Sequence, residues 1–598
     1  MPTQYVTTEL VNSIQRIAEQ TGRDLRLEEA GVIVALLDQY GNLPWIRDYL
    51  SYFGAGDLVA TVRNVWHRRF EQGLKLIFEP KSQTRVLCAF GSIVDLVHTL
   101  DHTALLCLEN WCLNSPLNRK LLHSPDPENS VNIPEDVIAA LAKAFQSEGL
   151  KPTVEKCELR GELRNKFPLR SHQRSLGGAP AIIAEALTQL GVDARVYSMY
   201  HSITQAHRFE PRLDTKWLDL CAGQPVYRQA HGAGQRGHPT RNTIVLAYSQ
   251  GLALKSNSKP AQNTDRLLLV MRPYVGARPL TSCFVRRMKH KPISIAPDCP
   301  PEWPSVAGFV TWRLGGASRS QLQINFMSSE VVTRLARDHH YVVLNAPGLG
   351  QLQQPNDLTK ALLEQIQILS DAGATIHMEI SGGADSEKHK FAPFAQSLRG
   401  WVRSMGINHK ELAQVASLRD FPSQAIAPIV GSHTLEVYHR FVQAACFADA
   451  LKLERLYVHG NDVDLILRRG TSEAALQQEV HADLFTKGAA IVSILLRNGL
   501  DPQTYSLPRA LYHEGFRALV ELAWQFSREK SGLGLTKRKA LFRRIVNDGH
   551  YLAAGRDEYS FAAVPVMWPE AVRLDPGINV TGAGDICSGF SLIYSGWR

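Results

Sequence analysis

The residues best placed to do chemistry lie near the C-terminus, in the run Thr581-Gly582-Ala583-Gly584-Asp585. A β-prone stretch and a Pro-Gly turn precede it, and a helix rich in small residues follows from Ile586. Glycines at such a junction leave backbone N–H groups facing outward at a helix N-terminus, where the dipole favours an anion. An aspartate there is repelled by phosphate unless it has work to do. The useful work is accepting the proton of a hydroxyl that attacks phosphorus. Gly582, Ala583 and Gly584 are therefore the candidate phosphate cradle, and Asp585 is the candidate general base.

Two other glycine signals read as structure. GAGQRG at 232–237 has the GxGxxG form, but it follows no clear strand and runs into His238-Pro239 instead of a helix. It is a turn, not a dinucleotide loop. In GAGD at 54–57, Gly54 reads as a helix terminator and Asp57 as the cap of the next helix. The sequence contains no GxxxxGK[ST], no HExxH and no zinc-type Cys/His set. A phosphate site here must be of the glycine–aspartate kind.

The elements that position this run follow from composition and pattern. With 44% hydrophobic and 21% charged residues, the 598-residue chain has the balance of a soluble globular protein, which excludes intrinsic disorder. At about 150 residues per domain, that length allows about four domains. No stretch is long and apolar enough for a membrane span, and the N-terminus lacks a secretory signal. Nine scattered cysteines without a CxxC pair suit a reducing, cytoplasmic setting. The +9 charge suits anionic ligands such as phosphates and is too diffuse for nucleic acid. The basic runs at Arg286–Lys291 and Lys537–Arg544 read as solvated faces.

Residues 1–80 show helical spacing, as in Leu58, Val62, Val65 and Trp66. RVLCAFGSIVDLV (85–97) reads as one buried strand ending in a Gly-Ser turn and an aspartate. Residues 97–172 are mixed and charged. SLGGAPAIIAEALTQLGVDARVYS (175–198) reads as turn, helix, turn and strand, and 210–262 reads as loops with a short insertion. Strand-like runs then recur at 267–271, 306–312, 341–346, 375–380, 424–430, 455–460 and 564–568, alternating with helical patterns. Such alternation predicts a parallel sheet covered by helices on both faces.

TGAGD near the C-terminus, with Gly177-Gly178 opening a small-residue helix far upstream, resembles the ribokinase superfamily. Finer features resemble its ADP-dependent branch, the ADP-specific glucokinases and phosphofructokinases. AFGSIVDLV (89–97) is similar to that branch's first strand, with Asp95 in the place of its sugar-binding aspartate. AIIAEAL after the glycine pair is similar to its GG helix motif. Ser202, Gln205, Ala206 and Phe209 fit S-x-x-Q-A-x-x-F; His377-Met378-Glu379 fits H-x-E; Arg455–His459 fits R-I-H-V-H.

The resemblance implies a three-layer α/β/α sandwich over 81–598 with a smaller lid from about 97–172 and 210–262, preceded by a helical extension over 1–80. It implies phosphoryl transfer from ADP to a sugar hydroxyl, on glucose or fructose 6-phosphate, with Asp585 as base. Asp95, Gly177 and Gly178 would hold the sugar, and Glu379 would organise Mg²⁺. The implied partners are ADP and a sugar or sugar phosphate, with neither nucleic acid nor membrane, in a monomer or small homo-oligomer. Three departures stand out. The family's asparagines are Ile93 and Glu185 here, and its N-x-x-E motif falls near 417–425, where Phe421 and Gln424 stand. They keep two alternatives open: a non-catalytic nucleotide- and sugar-binding protein, or a kinase using ATP or a non-sugar acceptor. Arg174, just before the glycine pair, fits a phosphate or sugar contact and equally a plain surface position.

Overall fold

The computed structural model describes residues 66, 69, 83–89, 93–116, 130–131, 133–146, 153–157, 173–198, 201–221, 224–234, 242–256, 259–262, 265–271, 274–275, 278–279, 310–315, 319–324, 329–345, 357–380, 395–416, 436–460, 462–497, 500, 511–530, 533–555, 558–566 and 582–597. Apart from Trp66 and Arg69, the helical extension expected over 1–80 lies outside them, as do the 424–430 run and residues 417–425.

In chain order the first strands are β1 (Arg85–Ala89), β2 (Ile93–Leu100), β3 (Ser130–Val131), β4 (Thr153–Cys157), β5 (Gln173–Gly177), β6 (Asp193–Tyr197) and β7 (Lys216–Cys221). Next come β8 (Gln224–Gln229), β9 (Asn242–Tyr248), β10 (Asp265–Met271), β11 (Tyr274–Val275), β12 (Arg278–Pro279), β13 (Val310–Gly315) and β14 (Arg319–Ile324). The last are β15 (Tyr341–Asn345), β16 (Thr375–Glu379), β17 (Ser404–Asn408), β18 (Arg455–His459), β19 (Val463–Arg469), β20 (His550–Tyr551) and β21 (Tyr559–Pro565).

The larger sheet has eleven strands in the order β20-β21-β19-β18-β17-β16-β15-β1-β6-β7-β8. From β18 to β7 every neighbouring pair is parallel; the strands outside these are antiparallel. Val86–Ala89, Tyr341–Leu344 and Leu456–Val458 are all buried, as expected of parallel strands covered on both faces. With its helices the sheet forms the three-layer α/β/α sandwich expected from the sequence.

A second sheet has six strands in the order β3-β4-β10-β9-β2-β5. Helices α1 (His102–Asn114) and α2 (Pro134–Gln146) share a separate apolar core with it, including Leu105, Leu108, Val137, Leu141, Phe145, Leu246 and Leu267. Each such buried side chain contributes about 1.5–3 kcal/mol.

Three sequence expectations are corrected. The 85–97 run is two strands in different sheets, β1 in the larger and β2 in the second. Val94, Val97 and Leu100 continue the apolar pattern beyond the Gly-Ser pair, so that pair separates two strands and does not end one. Within 210–262, β7 and β8 form a hairpin at the edge of the larger sheet, while β9 belongs to the second. The 306–312 run contributes β13, which among the described residues pairs only with β14. Among the described residues no helix is long and apolar enough to cross a membrane.

Candidate active site

Three further helices build the site: α3 (Ala179–Gln189), α5 (Glu473–Arg497) and α6 (Ala583–Tyr594); the short α4 (Ile203–Ala206) packs near β2. Gly582 caps α6 at φ 85°, a backbone shape that glycine adopts without strain. A Cβ on Gly582 would also lie 2.8 Å from Ile182 Cδ1. Ile182 belongs to the first turn of α3, whose own N-cap, Gly178, has φ 86°. The starts of two helices therefore meet, and both bring a positive dipole end to one place. Asp585 sits half-buried in the first turn of α6.

The end of β18 supports this junction. A Cβ on Gly584 would fall 2.1 Å from His459 Cε1, so only glycine lets the helix start pass the imidazole. The turn after His459 is pinned: Gly460 N–H donates to Asp464 Oδ1 at 2.7 Å, and Lys487 Nζ donates to the Gly460 carbonyl at 3.3 Å. Beneath it, Tyr457 donates to Asp483 Oδ1 at 2.8 Å. Burial holds both Asp464 and Asp483 above the usual carboxylate range.

Asp95 lies inside β2, opposite Ser175 of β5 and Thr243 of β9, and is 3% exposed. It is neither a turn residue nor a helix cap. A Cβ on Gly177 would sit 2.5 Å from Asp95 Oδ1 and 2.7 Å from Oδ2, so that glycine makes room for the carboxylate. Glu185, on α3, is also buried, and its Oε1 accepts the Glu210 N–H at 2.7 Å. Burial pushes its carboxyl up to about 7, against the pull of that hydrogen bond and of Arg497. Arg497 ends α5 within electrostatic reach of Glu185, Asp95 and Asp585. The fold thus brings Asp95, Gly177, Gly178 and the 582–585 run together.

Glu379 lies elsewhere, against the middle of α6. Its Oε1 is 2.7 Å from His377 Nε2, which is 2.9 Å from Ser588 Oγ, and His377 Nδ1 is 2.8 Å from Ser404 Oγ. Burial raises the Glu379 carboxyl to about 8 and drives His377 well below its ordinary range, so at neutral pH the pair holds one proton and no net charge. A Cβ on Gly406 would lie 2.3 Å from both Glu379 Oε1 and Ser588 Oγ. Gly406→Ala is therefore expected to cost at least about 1–3 kcal/mol, the price of overpacking a filled core, read from chemical denaturation.

These surroundings leave Glu379 no open face toward solvent. Mg²⁺ needs ionised carboxylates and water in an open octahedron. Glu379 is 1% exposed, and no group of three possible ligands occurs among the described residues. Through His377 and Ser588, Glu379 supports α6.

Glu379 has a pH signature. It binds its proton more tightly when folded, so stability falls as pH rises from the ordinary glutamate value of 4.5 toward about 8. Denaturation between pH 5 and 9 should show Glu379→Gln losing less stability than the parent, by about 1 kcal/mol per pH unit inside that window.

No known family profile matches the chain, and no curated protein sequence does. Solved structures do. The last common ancestor of ADP-dependent phosphofructokinases from Methanosarcinales matches with TM-score 0.57 and 14% identity, over 89% of this chain and 98% of its own. An ADP-dependent kinase in complex with fructose-6-phosphate and ADPβS gives TM-score 0.59 and 14% identity, over 89% and 98%. A hypothetical ADP-dependent phosphofructokinase from Pyrococcus horikoshii OT3 gives 0.51 and 15%, over 86% and 97%. The fold is ribokinase-like.

Within this ribokinase-like fold, some motif residues serve structure. Ser202 and Gln205 form a reciprocal capping box on α4. Gly234 of the GAGQRG run packs on that helix: a Cβ there would be 2.7 Å from Ala206 Cβ. Arg455 lies under α6, bound to Glu479 and Ser591. Thr581, Phe421, Gln424 and the side chain of Arg174 fall outside the described residues.

The sequence reading missed Arg497 and Ser588. The signals were present: Arg497 is the lone charge closing the apolar run AAIVSILLR, and Ser588 and Ser591 are three apart on one helix face.

Proposed function

We propose that this chain is a sugar kinase of the ADP-dependent type. The observation that carries the reading is the meeting of the first turns of α3 and α6, where Gly582 lies against Ile182, with Asp585 in the first turn of α6. In this reading the N–H groups of Gly582, Ala583 and Gly584 receive the phosphoryl group and stabilise charge developing on it. Asp585 takes the proton of the attacking sugar hydroxyl, which bonds to the β-phosphorus of ADP while the bond to AMP breaks. Asp95, seated against Gly177, accepts hydrogen bonds from the sugar. The donor and acceptor classes follow the ligands of the structural neighbours and the motif resemblance. Mg²⁺ would be held mainly by the nucleotide's own phosphate oxygens, since Glu379 is enclosed. The second sheet, which carries Asp95, would serve as the lid that excludes water.

Nucleotide binding tests the cradle. ADP should raise the melting temperature in a concentration-dependent way. Gly582→Val, which cannot adopt φ 85° and collides with Ile182, should lose that response. Absence of a shift with ADP, AMP and ATP in the parent chain would refute the cradle. The enclosed Glu379 and the carboxylate at Glu185 favour a second reading, a nucleotide- and sugar-binding protein without turnover.

A further inference from the structure

We propose that Lys487 is a positioning residue of the candidate site: it holds the turn that ends β18, so that His459 lies against Gly584 of the phosphate cradle. The role of the cradle rests on the kinase reading above; the hold of Lys487 on the turn does not.

Asp483 and Lys487 lie one helical turn apart on α5 and reach β18 and the turn after it. The Lys487 ammonium is 3.3 Å from Asp464 Oδ1 and donates to the Gly460 carbonyl, also at 3.3 Å. Asp464 Oδ1 in turn accepts the Gly460 N–H at 2.7 Å. Both peptide groups that flank the Gly460 α-carbon are therefore held, one by the carboxylate and one by the ammonium. The turn is closed tightly on itself. A Cβ on Gly460 would collide with the Val463 carbonyl oxygen, and Arg440 Nη1 donates to Asp462 Oδ1 at 2.7 Å.

His459 is the last residue of β18 and directly precedes this turn. A Cβ on Gly584 would collide with its imidazole, so any swing of the turn moves a ring packed on the first turn of α6. Beneath it, Tyr457 donates to Asp483 Oδ1 at 2.8 Å and lies 3.4 Å from Asp464 Oδ2. Lys487, Asp464, Asp483 and Tyr457 are all buried. Burying an ammonium costs more than burying an apolar side chain of the same size. A methionine would fill the same space against the sheet, but only a donor can grip the Gly460 carbonyl. Burial holds both carboxyls above their usual range, most strongly at Asp483, so the charge that Lys487 answers is that of Asp464.

The alternative is a lysine that only ties α5 to the sheet. The double variant Lys487→Met, Asp464→Asn separates the two. It removes the donor to the Gly460 carbonyl without leaving a buried charge unpaired, and the asparagine oxygen can still accept the Gly460 N–H. In the full chain with labelled histidine and glycine, NMR reads the NOE between the His459 ring and the Gly584 α-protons, assigned by its loss in His459→Gln. The folded double variant should lose this NOE, and its ADP dissociation constant should rise about 2–30-fold, the range open to residues without ligand contact. Lys487→Leu replaces Lys487→Met if that protein does not fold. A parental NOE in the folded variant, or parental affinity in a chain that binds ADP, overturns the proposal, whatever the melting temperature. If the parent chain binds no ADP, the kinase reading fails, and the NOE alone decides whether Lys487 holds the turn.

Discussion

Asp585→Asn should lower kcat by about 10²–10⁴-fold, the share that a positioned general base contributes. Asparagine has the same size and cannot take a proton from the acceptor hydroxyl. The structural cost is small, because Asp585 is half-buried in a first helical turn and its charge there contributes about 0.3–1 kcal/mol through the dipole. ADP should bind the variant at least as well, since a negative charge has left the phosphate site. Steady-state rates, paired with nucleotide titration of the same preparation, check both halves. Equal kcat in variant and parent would remove Asp585 from the chemistry.

The second large effect concerns stability. Arg455 is fully buried, and its Nε and Nη2 donate to the two oxygens of Glu479 at 2.9 Å each. Nη2 also donates to Ser591 Oγ at 2.7 Å, which ties β18 to α6. Arg455→Met leaves the Glu479 carboxylate buried without its main partner, a loss of about 3–5 kcal/mol. Arg468, 3.3 Å from Glu479 Oε1, offsets part of it. The double variant Arg455→Met, Glu479→Leu should recover much of the loss, because the desolvated charge goes with its partner. Urea unfolding of the three proteins decides; a single variant as stable as the parent would show that the pair contributes little.

What could be read from the sequence was what depends on short-range rules. The cap at Gly582 and the helix behind it follow from glycine conformation and small-residue packing. Strands β15, β16 and β18 are short, largely apolar runs whose alternation with helical patterns reads as a doubly covered parallel sheet. Strand β17, SMGIN, is broken by a glycine and flanked by polar residues, so it does not stand out. The hairpin β7–β8 lies in a stretch whose Gly, His and Pro content reads as loop. Asp95 was legible as a residue of interest, but its place inside β2 depends on pairing with β5 and β9, about 80 and 150 positions on.

Glu379 shows the same limit. Its motif was plain, yet its neutral, enclosed state is set by Gly406 and by Ser588, whose hydroxyl reaches His377 across 211 positions. Lys487 needed α5 to be seated against the β18–β19 turn before its partners could be named.

Phosphorus NMR of one mixture, the full chain with ADP, Mg²⁺ and a sugar or sugar phosphate, tests the central claim most directly. A kinase of this type predicts that the ADP signals are replaced one for one by AMP and a phosphomonoester of the acceptor, and that Asp585→Asn slows this replacement by about 10²–10⁴-fold. ADP that binds the parent chain yet persists with glucose, fructose 6-phosphate and every other acceptor tried would contradict it.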